Sequence, residues 1–532
     1  MEQRERGEAA AVKWWTLGVV SVATFMLLLD ITVVNVALPS IRNDLDGSFA
    51  DVQWVIDAYA LSLAAFVLTA GSLADRFGRR LVFCYGLALF SGASVICAVA
   101  PDPTLLNVAR TIQGIGGAAM FAVSLALIAQ EFAPGRQRAT AMGVYGASIG
   151  AAAAIGPLVG GMLTEQVSWR SIFYLNVPVG LAALRVTHRR VRESRDPAGR
   201  GTDWAGAATF SAALFLLVLA LVRGNADGWG SPFIVSLVGG VVLLLVAFIA
   251  IERTVDEPML PLPLFAVRTF TGVQLTAFTV AGALYAMFLY IGLYVQNYLG
   301  YSPIQTGLRY LPVTITSLLA SLVAGAFMSR LPARALMCGS LVVTGGGLLL
   351  MSGVRAGDGW DTLLPGMVVV GVGTGLLAPV VADVALSVVP NDRSGMAAGI
   401  NDTFRQVGVA VGTAVWGAVL LARGADKAGE MLASGQPRHG DLPRTLVEAA
   451  SSGEIHRWVA AMPAPVRDAA VRAGSEGMLA GFNTVLTLAA IVCFAGAALA
   501  VWLVREHEID RAHGTDAPET LAGHRESVDE AA

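Results

Sequence analysis

Long apolar stretches recur along this 532-residue chain, and short polar segments separate them. An apolar run of about 20 residues is long enough to cross the hydrocarbon core of a bilayer as a helix. The pattern predicts fourteen such helices, at 14–38, 52–74, 81–100, 105–130, 138–164, 170–188, 204–222, 232–251, 270–299, 304–328, 334–353, 362–389, 395–421 and 478–504. We therefore expect an all-α integral membrane protein.

The basic residues of the connecting segments predict the orientation, because Lys and Arg concentrate on the cytoplasmic side of membrane proteins. With the N-terminus inside, the inner segments hold about 22 basic residues, and the six short outer loops hold about four. Segment 185–200 alone supplies six arginines. Both termini are therefore predicted to be cytoplasmic.

Two polar segments lie outside the predicted membrane spans. Residues 422–477 form a predicted outer loop with short amphipathic helices at 444–450 and 463–473, and either a surface cap or a substrate gate fits this segment. Residues 505–532 are polar and acidic, which predicts a disordered cytoplasmic tail.

The amino-acid composition limits the classes of protein to which this chain can belong. The chain is 55% hydrophobic and 14% charged, whereas soluble proteins carry about 25% charged residues. A net charge of −3 gives no reason to expect a nucleic-acid partner. The four cysteines all fall in apolar stretches and are interpreted as small buried hydrophobic residues. No metal-ligand spacing and no nucleophile–base pattern is present, so we expect neither a metal nor enzymatic activity.

An internal repeat organises the chain. Residues 71–80 match residues 325–334 at an offset of about 254, and the Gly-x-Gly at 114–116 matches 371–373 at about 257. Eight spans separate the matching loops, whereas two six-span halves would give six. We therefore predict a six-helix half at 14–188, two inserted helices at 204–251 and a second six-helix half at 270–504. Repeated halves with a site at their interface are typical of secondary transporters.

Ionisable residues inside the predicted spans are the main functional candidates. A carboxylate at the depth of Asp30 costs at least about 2.5–3.5 kcal/mol on insertion, so it is either a proton-exchange group or a structural acid satisfied by neighbouring helices. Arg110 is a buried cation that pairs with a specific partner or reaches the outer interface. Asp57 lies near the start of its span, where function and structure are equally good accounts. Asp402 and Arg405 share a helix face and are expected either to pair or to leave Asp402 facing the cavity.

Four motifs in order resemble those of one family, and a fifth segment is also typical of it. The motifs are residues 29–39, 71–80, 110–117 and 156–161, and the further segment is 169–178. This set is similar to that of the 14-helix drug/proton antiporters of the Major Facilitator Superfamily. The resemblance implies a monomeric exporter of amphipathic or cationic small molecules in the bacterial cell membrane. It implies alternating access driven by a proton gradient, with no cofactor. Export of a lipid, a siderophore or an endogenous metabolite is the alternative, while import and a membrane enzyme or receptor are less favoured.

The residues and the resemblance together predict four functional groups. The proton-coupling group is Asp30, Arg110 and Asp57. The predicted substrate cavity holds Asn35, Gln113, Tyr290, Tyr294 and Asp402. The gating loop holds Gly71, Asp75, Arg76, Gly78, Arg79 and Arg80. The helix-five motif holds Gly156, Pro157, Gly160 and Gly161.

Two of these groups have an alternative interpretation, and the gating loop has one expected role. Tyr290 and Tyr294 either stack on a flat or cationic substrate or belong to an interfacial belt. The helix-five motif either bends its helix or serves tight packing. The gating loop is expected to close the inner face through ion pairs and helix-end charges, with the acid only in the first copy, because Ser329 replaces Asp75 in the second.

Overall fold

The computed structural model describes residues 2–47, 49–132, 136–194, 203–256, 258–328, 330–389, 394–433 and 442–513. These residues form helices and their connections, and no β-strand occurs among them. The first eight helices are α1 (Glu2–Asp44), α2 (Phe49–Phe77), α3 (Arg79–Ala98), α4 (Pro103–Glu131), α5 (Arg136–Gln166), α6 (Arg170–Arg190), α7 (Trp204–Asp227) and α8 (Pro232–Glu252).

The second part of the chain starts with a short 3₁₀ turn, Leu262–Ala266, and a helix that two π turns interrupt. That helix consists of α9 (Arg268–Val280), a π turn (Ala281–Tyr285), α10 (Ala286–Leu293) and a second π turn (Tyr294–Tyr298). It is followed by α11 (Pro303–Met328), α12 (Ala333–Met351), α13 (Leu364–Ser387), α14 (Ser394–Ala433), α15 (Leu442–Ser451), α16 (Ile455–Trp458), α17 (Ala464–Leu503) and α18 (Glu506–His513).

Each of the fourteen predicted stretches falls within one of these helical segments, apart from one or two residues at some ends. In the described part of the chain, eleven helices are long and apolar enough to cross a membrane; α5, α6 and the interrupted α9–α10 segment are not among them. The chain is therefore a multi-pass membrane protein.

Side chains cap the first turns of several helices. Asp102 accepts a hydrogen bond from Leu105 N (2.9 Å) at the start of α4, and Ser231 accepts one from Ile234 N (3.3 Å) at the start of α8.

The predicted outer loop at 422–477 is shorter than expected. Helix α14 continues to Ala433, and the amphipathic segment 463–473 is the start of the 40-residue helix α17 rather than a separate helix. The two helices extend side by side because Gly424 and Gly477 meet, so that a Cβ on Gly424 would lie 2.9 Å from the Gly477 carbonyl oxygen. The predicted helix at 444–450 is confirmed as α15, which buries Leu446 fully.

The predicted disorder of residues 505–532 is wrong for its first part. Residues Glu506–His513 form α18, and the Glu508 carboxylate accepts a hydrogen bond from Thr269 N (2.8 Å) at the start of α9. The helix is therefore tied to the helix ends beside it. Residues 514–532 lie outside the described ranges.

The internal repeat recurs as a pattern of helix packing. Helices α1–α6, here called the first bundle, pack in the pairs α1–α5, α1–α6, α2–α4, α3–α4 and α3–α6. The second bundle consists of α9–α14 and α17. Its pairs α9–α14, α9–α17, α11–α13, α12–α13 and α12–α17 occupy the equivalent positions. The bundles meet along α5–α11, α2–α14 and α4–α14, while α7 packs on α8, α2 and α14.

Close glycine contacts repeat with the helices. A Cβ on Gly116 would lie 2.7 Å from the Phe90 backbone nitrogen, and a Cβ on Gly373 would lie 2.7 Å from the Thr344 backbone nitrogen. Gly373 and Thr344 follow Gly116 and Phe90 along the chain by nearly the offset of the internal repeat. In both bundles the helix pair α3–α4 or α12–α13 therefore approaches too closely for any side chain at the glycine.

We expect Gly116→Ala and Gly373→Ala to lower the unfolding temperature of the purified protein by similar amounts. The added methyl group must push a backbone away, and overpacking of this kind costs about 1–3 kcal/mol. Gly239→Ala in α8 is the matched control, because a Cβ there meets nothing within 4 Å. Thermal unfolding in detergent measures all three variants, and equal midpoints for Gly116→Ala and Gly239→Ala would contradict the packing argument.

Candidate functional site

An ion pair is buried inside the first bundle. Arg110 Nη1 of α4 pairs with Asp30 Oδ2 of α1, and each residue is only 1% exposed. Arg110 Nε donates to the Val55 carbonyl oxygen (3.0 Å), and the guanidinium lies 4.2 Å from the centre of the Tyr59 ring. The Phe173 ring centre lies 5.8 Å from the same guanidinium. Arg110 therefore does not reach an interface, and one carboxylate and two aromatic rings surround its charge.

Two amide side chains complete the coordination of Asp30. Asn176 Nδ2 of α6 donates to Asp30 Oδ1 at 2.8 Å, and Gln113 Nε2 donates to the same oxygen at 3.1 Å. Gln113 also accepts from Arg110 Nη1 (2.8 Å) and donates to Ser94 Oγ of α3 (2.9 Å). Side chains of α1, α3, α4 and α6 thus converge on one carboxylate, here called the Asp30 cluster: Asp30, Ser94, Arg110, Gln113 and Asn176.

Sequence reasoning missed Asn176 and Ser94 as members of this cluster. Asn176 lies within the motif at 169–178, and a buried amide in an apolar span was the available signal. Ser94 gave no signal, because a serine hydroxyl in a helix usually bonds its own backbone, as Ser94 Oγ also does with the Phe90 carbonyl oxygen at 2.7 Å.

Small residues bring the neighbouring helices close to the Asp30 cluster. A Cβ on Gly117 of α4 would lie 3.2 Å from the Tyr59 hydroxyl. A Cβ on Gly160 of α5 would lie 3.1 Å from the Val33 backbone, and one on Gly156 would collide with Thr32 Oγ1. Helix α5 therefore touches α1 within one turn of Asp30.

This contact favours the packing account of the helix-five motif for Gly156 and Gly160. Gly161 is buried in the same helix. Pro157 lies within the helix Arg136–Gln166, and its side chain is outside the described part of the structure. The predicted bend stays a prediction.

A cavity of about 90 Å³ lies between the two bundles. It is lined mainly by apolar side chains of α4, α5, α9, α13 and α14, among them Phe121 and Leu377. Its charged residues are Asp402 and Arg405 of α14. The predicted pairing of these two is confirmed, with Arg405 Nη2 at 3.2 Å from Asp402 Oδ1.

The Asp402–Arg405 pair leaves one acceptor open. Arg405 places its guanidinium 4.4 Å from the centre of the Phe121 ring, on the first bundle. Asp402 is 2% exposed, and its Oδ2 has no hydrogen-bond partner among the described residues. A buried carboxylate oxygen without a donor is costly, so this oxygen is suited to a polar or cationic group that enters the cavity.

Of the predicted cavity residues, only Asp402 lines this cavity. Gln113 belongs to the Asp30 cluster. Tyr290 is buried and donates to the Thr413 carbonyl oxygen (2.6 Å). Tyr294 is stacked on Phe482 with ring centres 5.0 Å apart, inside the second bundle. Asn35 is exposed on α1, one to two turns beyond Asp30.

Asp57 lies apart from the Asp30 cluster. It is 9% exposed on the face of α2 that meets α7, and the charge of Arg223 on α7 acts on it. Arg223 itself is bound by Asp227 through two hydrogen bonds of 2.9 and 3.1 Å. The inserted helix α7 thus supplies a cation whose charge acts on Asp57.

The gating loop fastens the first bundle to the second. Asp75 Oδ1 accepts a hydrogen bond from Gly395 N (2.9 Å), and Oδ2 accepts one from Met396 N (2.7 Å). These backbone groups form the first turn of α14, so the carboxylate occupies the positive end of the helix dipole. Arg79 Nε and Nη2 bind Asp75 Oδ1 from the other side at 3.0 and 2.9 Å. We call this arrangement the Asp75 lock, and the end of the molecule that holds it the Asp75 end.

The other loop residues support the lock. Gly71 lies where a Cβ would approach the Gly395 carbonyl oxygen to 2.5 Å. Gly78 has a φ of 119°, which favours glycine. Arg76 places its guanidinium 5.1 Å from the Phe77 ring centre, and Arg80 Nε lies 3.6 Å from Glu193 Oε2.

A second ion pair joins the bundles at the Asp75 end. Arg138 Nε of α5 lies 3.1 Å from Asp383 Oδ1 of α13, and the Arg138 side chain is only 3% exposed. No local sequence pattern relates these two residues, because they belong to different halves and lie far apart in the chain. The Asp75 end is therefore closed by two independent polar links.

Comparison with known proteins adds the family. Residues 20–413 match the sequence model of the Major Facilitator Superfamily. The puromycin resistance protein pur8 of Streptomyces alboniger is 36% identical over 85% of this chain and 88% of that protein. The tetracenomycin C resistance and export protein of Streptomyces glaucescens is 34% identical over 94% of this chain and 93% of that protein. The multidrug resistance protein Stp of Mycobacterium tuberculosis is 35% identical over 76% of each chain.

Solved structures agree on the fold. The proton:xylose symporter XylE matches with a TM-score of 0.60 at 15% identity, covering 94% of this chain and 99% of that chain. The human organic anion transporter MFSD10 matches with a TM-score of 0.58, covering 90% and 99%. The matched sequence model, the related sequences and the shared fold together establish that the chain belongs to the Major Facilitator Superfamily.

Proposed function

We propose that this protein is a proton-driven exporter of amphipathic or cationic small molecules that works by alternating access. The observation that carries the proposal is the Asp30 cluster, a buried ion pair inside a membrane bundle. A charge pair at that position is expensive to bury and marks a functional site. The related sequences are named for resistance to, or export of, antibiotics and drugs, which supports export as the direction of transport.

The proposal includes a topology. All fourteen helical stretches cross the membrane, as halves at 14–188 and 270–504 with two inserted helices at 204–251. The Asp75 end and both termini lie on the cytoplasmic side in this topology, which the arginine-rich segment after α6 supports. The protein acts as a monomer in the bacterial plasma membrane, and it needs no cofactor because the proton gradient supplies the energy.

In this arrangement the structure is a state closed toward the cytoplasm. The Asp75 lock and the Arg138–Asp383 pair hold the two bundles together at that end. Export requires these links to open so that substrate reaches the cavity, and to close before it leaves outward. Each link is polar and lies between rigid bundles, which suits a contact that must form and break in every cycle.

Asp30 is the proposed proton carrier. A proton that binds Asp30 removes its charge and weakens its attraction to Arg110. The motion of α1 then reaches α5 through the contacts of Gly156 and Gly160, one turn from Asp30. Helix α5 also packs on α11 of the second bundle, where a Cβ on Gly143 would lie 2.8 Å from the Ser321 carbonyl oxygen. The α5 helix is thus the proposed mechanical connection between proton binding and the bundle interface.

The cavity selects the substrate class. Apolar side chains and Phe121 suit a flat apolar group, and the open oxygen of Asp402 suits a positive charge. A second candidate is export of one dedicated compound. It is favoured by the relatives whose names give a single compound, such as tetracenomycin C and actinorhodin.

We expect Asp30→Asn to abolish efflux driven by a pH gradient in proteoliposomes. It also leaves Arg110 as a buried cation without a counter-charge, which costs about 3–5 kcal/mol of stability. The double variant Asp30→Asn with Arg110→Met removes both charges, so it should regain stability and still fail to couple. The comparison separates folding from coupling, and gradient-driven efflux at the normal rate in the stable double variant would contradict the role of Asp30.

We expect Asp402→Asn to raise the KM for a cationic aromatic dye about tenfold, which corresponds to a loss of about 1.4 kcal/mol of binding. The KM for a neutral aromatic substrate should stay within about twofold, because only the charge is removed. Efflux rates over a concentration series in everted vesicles measure both. An equal rise for the two substrates would place Asp402 in the helix packing and not in substrate selection.

A further inference from the structure

A glutamate beyond the gating motif holds the start of α3. Glu193 is the third residue after α6, in the segment that leads to α7. Its Oε1 accepts a hydrogen bond from Arg80 N (2.9 Å), and its Oε2 accepts one from Leu81 N (3.1 Å). The next residue, Ser194, accepts Arg79 N on its carbonyl oxygen at 2.9 Å. Three backbone N–H groups of the first helical turn, which lack partners within the helix, are satisfied by these two residues.

The carboxylate also accounts for the glycine in the motif. A Cβ on Gly78 would lie 2.7 Å from both Cδ and Oε1 of Glu193. Gly78 therefore leaves room for the carboxylate in addition to adopting a positive φ. The loop conformation and the position of Glu193 depend on each other.

Ser194 connects the same segment to the side chain that binds Asp75. Arg79 Nη1 donates to Ser194 Oγ at 3.4 Å, and Ser194 Oγ donates to Gln130 Oε1 of α4 at 2.6 Å. Arg79 is thus held at its backbone and at its guanidinium by the residues after α6. Its guanidinium then binds the carboxylate that caps α14 of the second bundle.

The second half contains the same cap. Glu506 is the third residue after α17, and its Oε1 accepts a hydrogen bond from Arg334 N at 2.8 Å. Arg334 is the second residue of α12, as Arg80 is the second residue of α3. The repeat therefore extends past each bundle's last long helix, to a carboxylate that returns to the start of its third helix.

The two caps differ in what they are connected to. In the first copy, the loop carries Asp75, which bonds to the opposite bundle. In the second copy, Ser329 stands at the corresponding position of the sequence, so the loop has no carboxylate to offer there. The chain thus provides a cap that belongs to the lock and an equivalent cap that does not.

We propose that Glu193 and Ser194 are positioning residues of the inner gate. They fix the start of α3 so that Arg79 orients Asp75 toward α14. This inference rests on the alternating-access function proposed above, and it extends the gating machinery to the segment between α6 and α7. Glu506 performs the same structural task without a part in closing the gate.

The test measures the opening of the Asp75 end directly. Spin labels replace Arg189 and Leu331, which are exposed on different bundles, in a protein whose four cysteines have been substituted. Distance distributions are recorded in nanodiscs without substrate or proton gradient. Glu193→Ala should raise the ratio of the long to the short distance population at least tenfold. Glu506→Ala should leave this ratio unchanged. It should lower the unfolding temperature by about as much as Glu193→Ala does, because each variant removes one helix cap.

Two further variants keep the proposal testable. Glu193→Gln retains one acceptor oxygen and should restore part of the closed population. Ser194→Ala should shift the distances in the same direction as Glu193→Ala, but by less. It takes the place of Glu193→Ala in the test if that variant does not fold. The proposal is overturned if neither first-bundle variant shifts the distances, or if Glu506→Ala shifts them equally. Absence of proton-driven transport in the unmodified protein would instead refute the proposed function, since the distances do not depend on transport.

Discussion

A carboxylate cannot remain unpaired in an apolar helix bundle, and the first bundle is arranged around that constraint. Asp30 is surrounded by a guanidinium and two amides that come from α4 and α6. Arg110 and Gln113 are three residues apart on one face of α4, and Asn176 reaches the carboxylate from α6, so satisfying Asp30 requires these faces of the two helices to point toward α1. The glycines of α4 and α5 let these helices approach α2 and α1 closely beside the Asp30 cluster.

A second carboxylate that several donors satisfy lies at the interface between the two bundles. Asp75 is satisfied by backbone N–H groups of the opposite bundle and by one arginine of its own. An Asp30 cluster within one rigid unit stabilises that unit. A carboxylate shared between two rigid units stabilises only their closed arrangement, so the location of the partners decides whether an acid acts on the packing inside one bundle or on the contact between the bundles.

Much of this arrangement could be predicted from the sequence, because it depends on the apolar runs and on the spacing of residues along the chain. The helical stretches, the repeat and the pair of Asp402 with Arg405 depend on local periodicity, which a single chain displays. The partners of Asp30 and the pair of Arg138 with Asp383 depend on contacts between distant helices, and no local pattern encodes them. The length of α14 and α17 was underestimated because their extensions are stabilised by glycine contacts with each other, and not by an apolar membrane stretch.

The inserted helix α7 touches α2 and α14, the two helices that the Asp75 lock joins. One polar contact of α7 is with α2, where Thr69 Oγ1 and Ser211 Oγ lie 3.0 Å apart. Ala410 of α14 packs against the same apolar cluster as Phe215 and Leu219 of α7. A hydrogen bond resists sliding and a smooth apolar surface permits it. In the alternating-access cycle proposed above, α7 would therefore move with the first bundle, and the bundles would slide past each other along the apolar contact between α7 and α14.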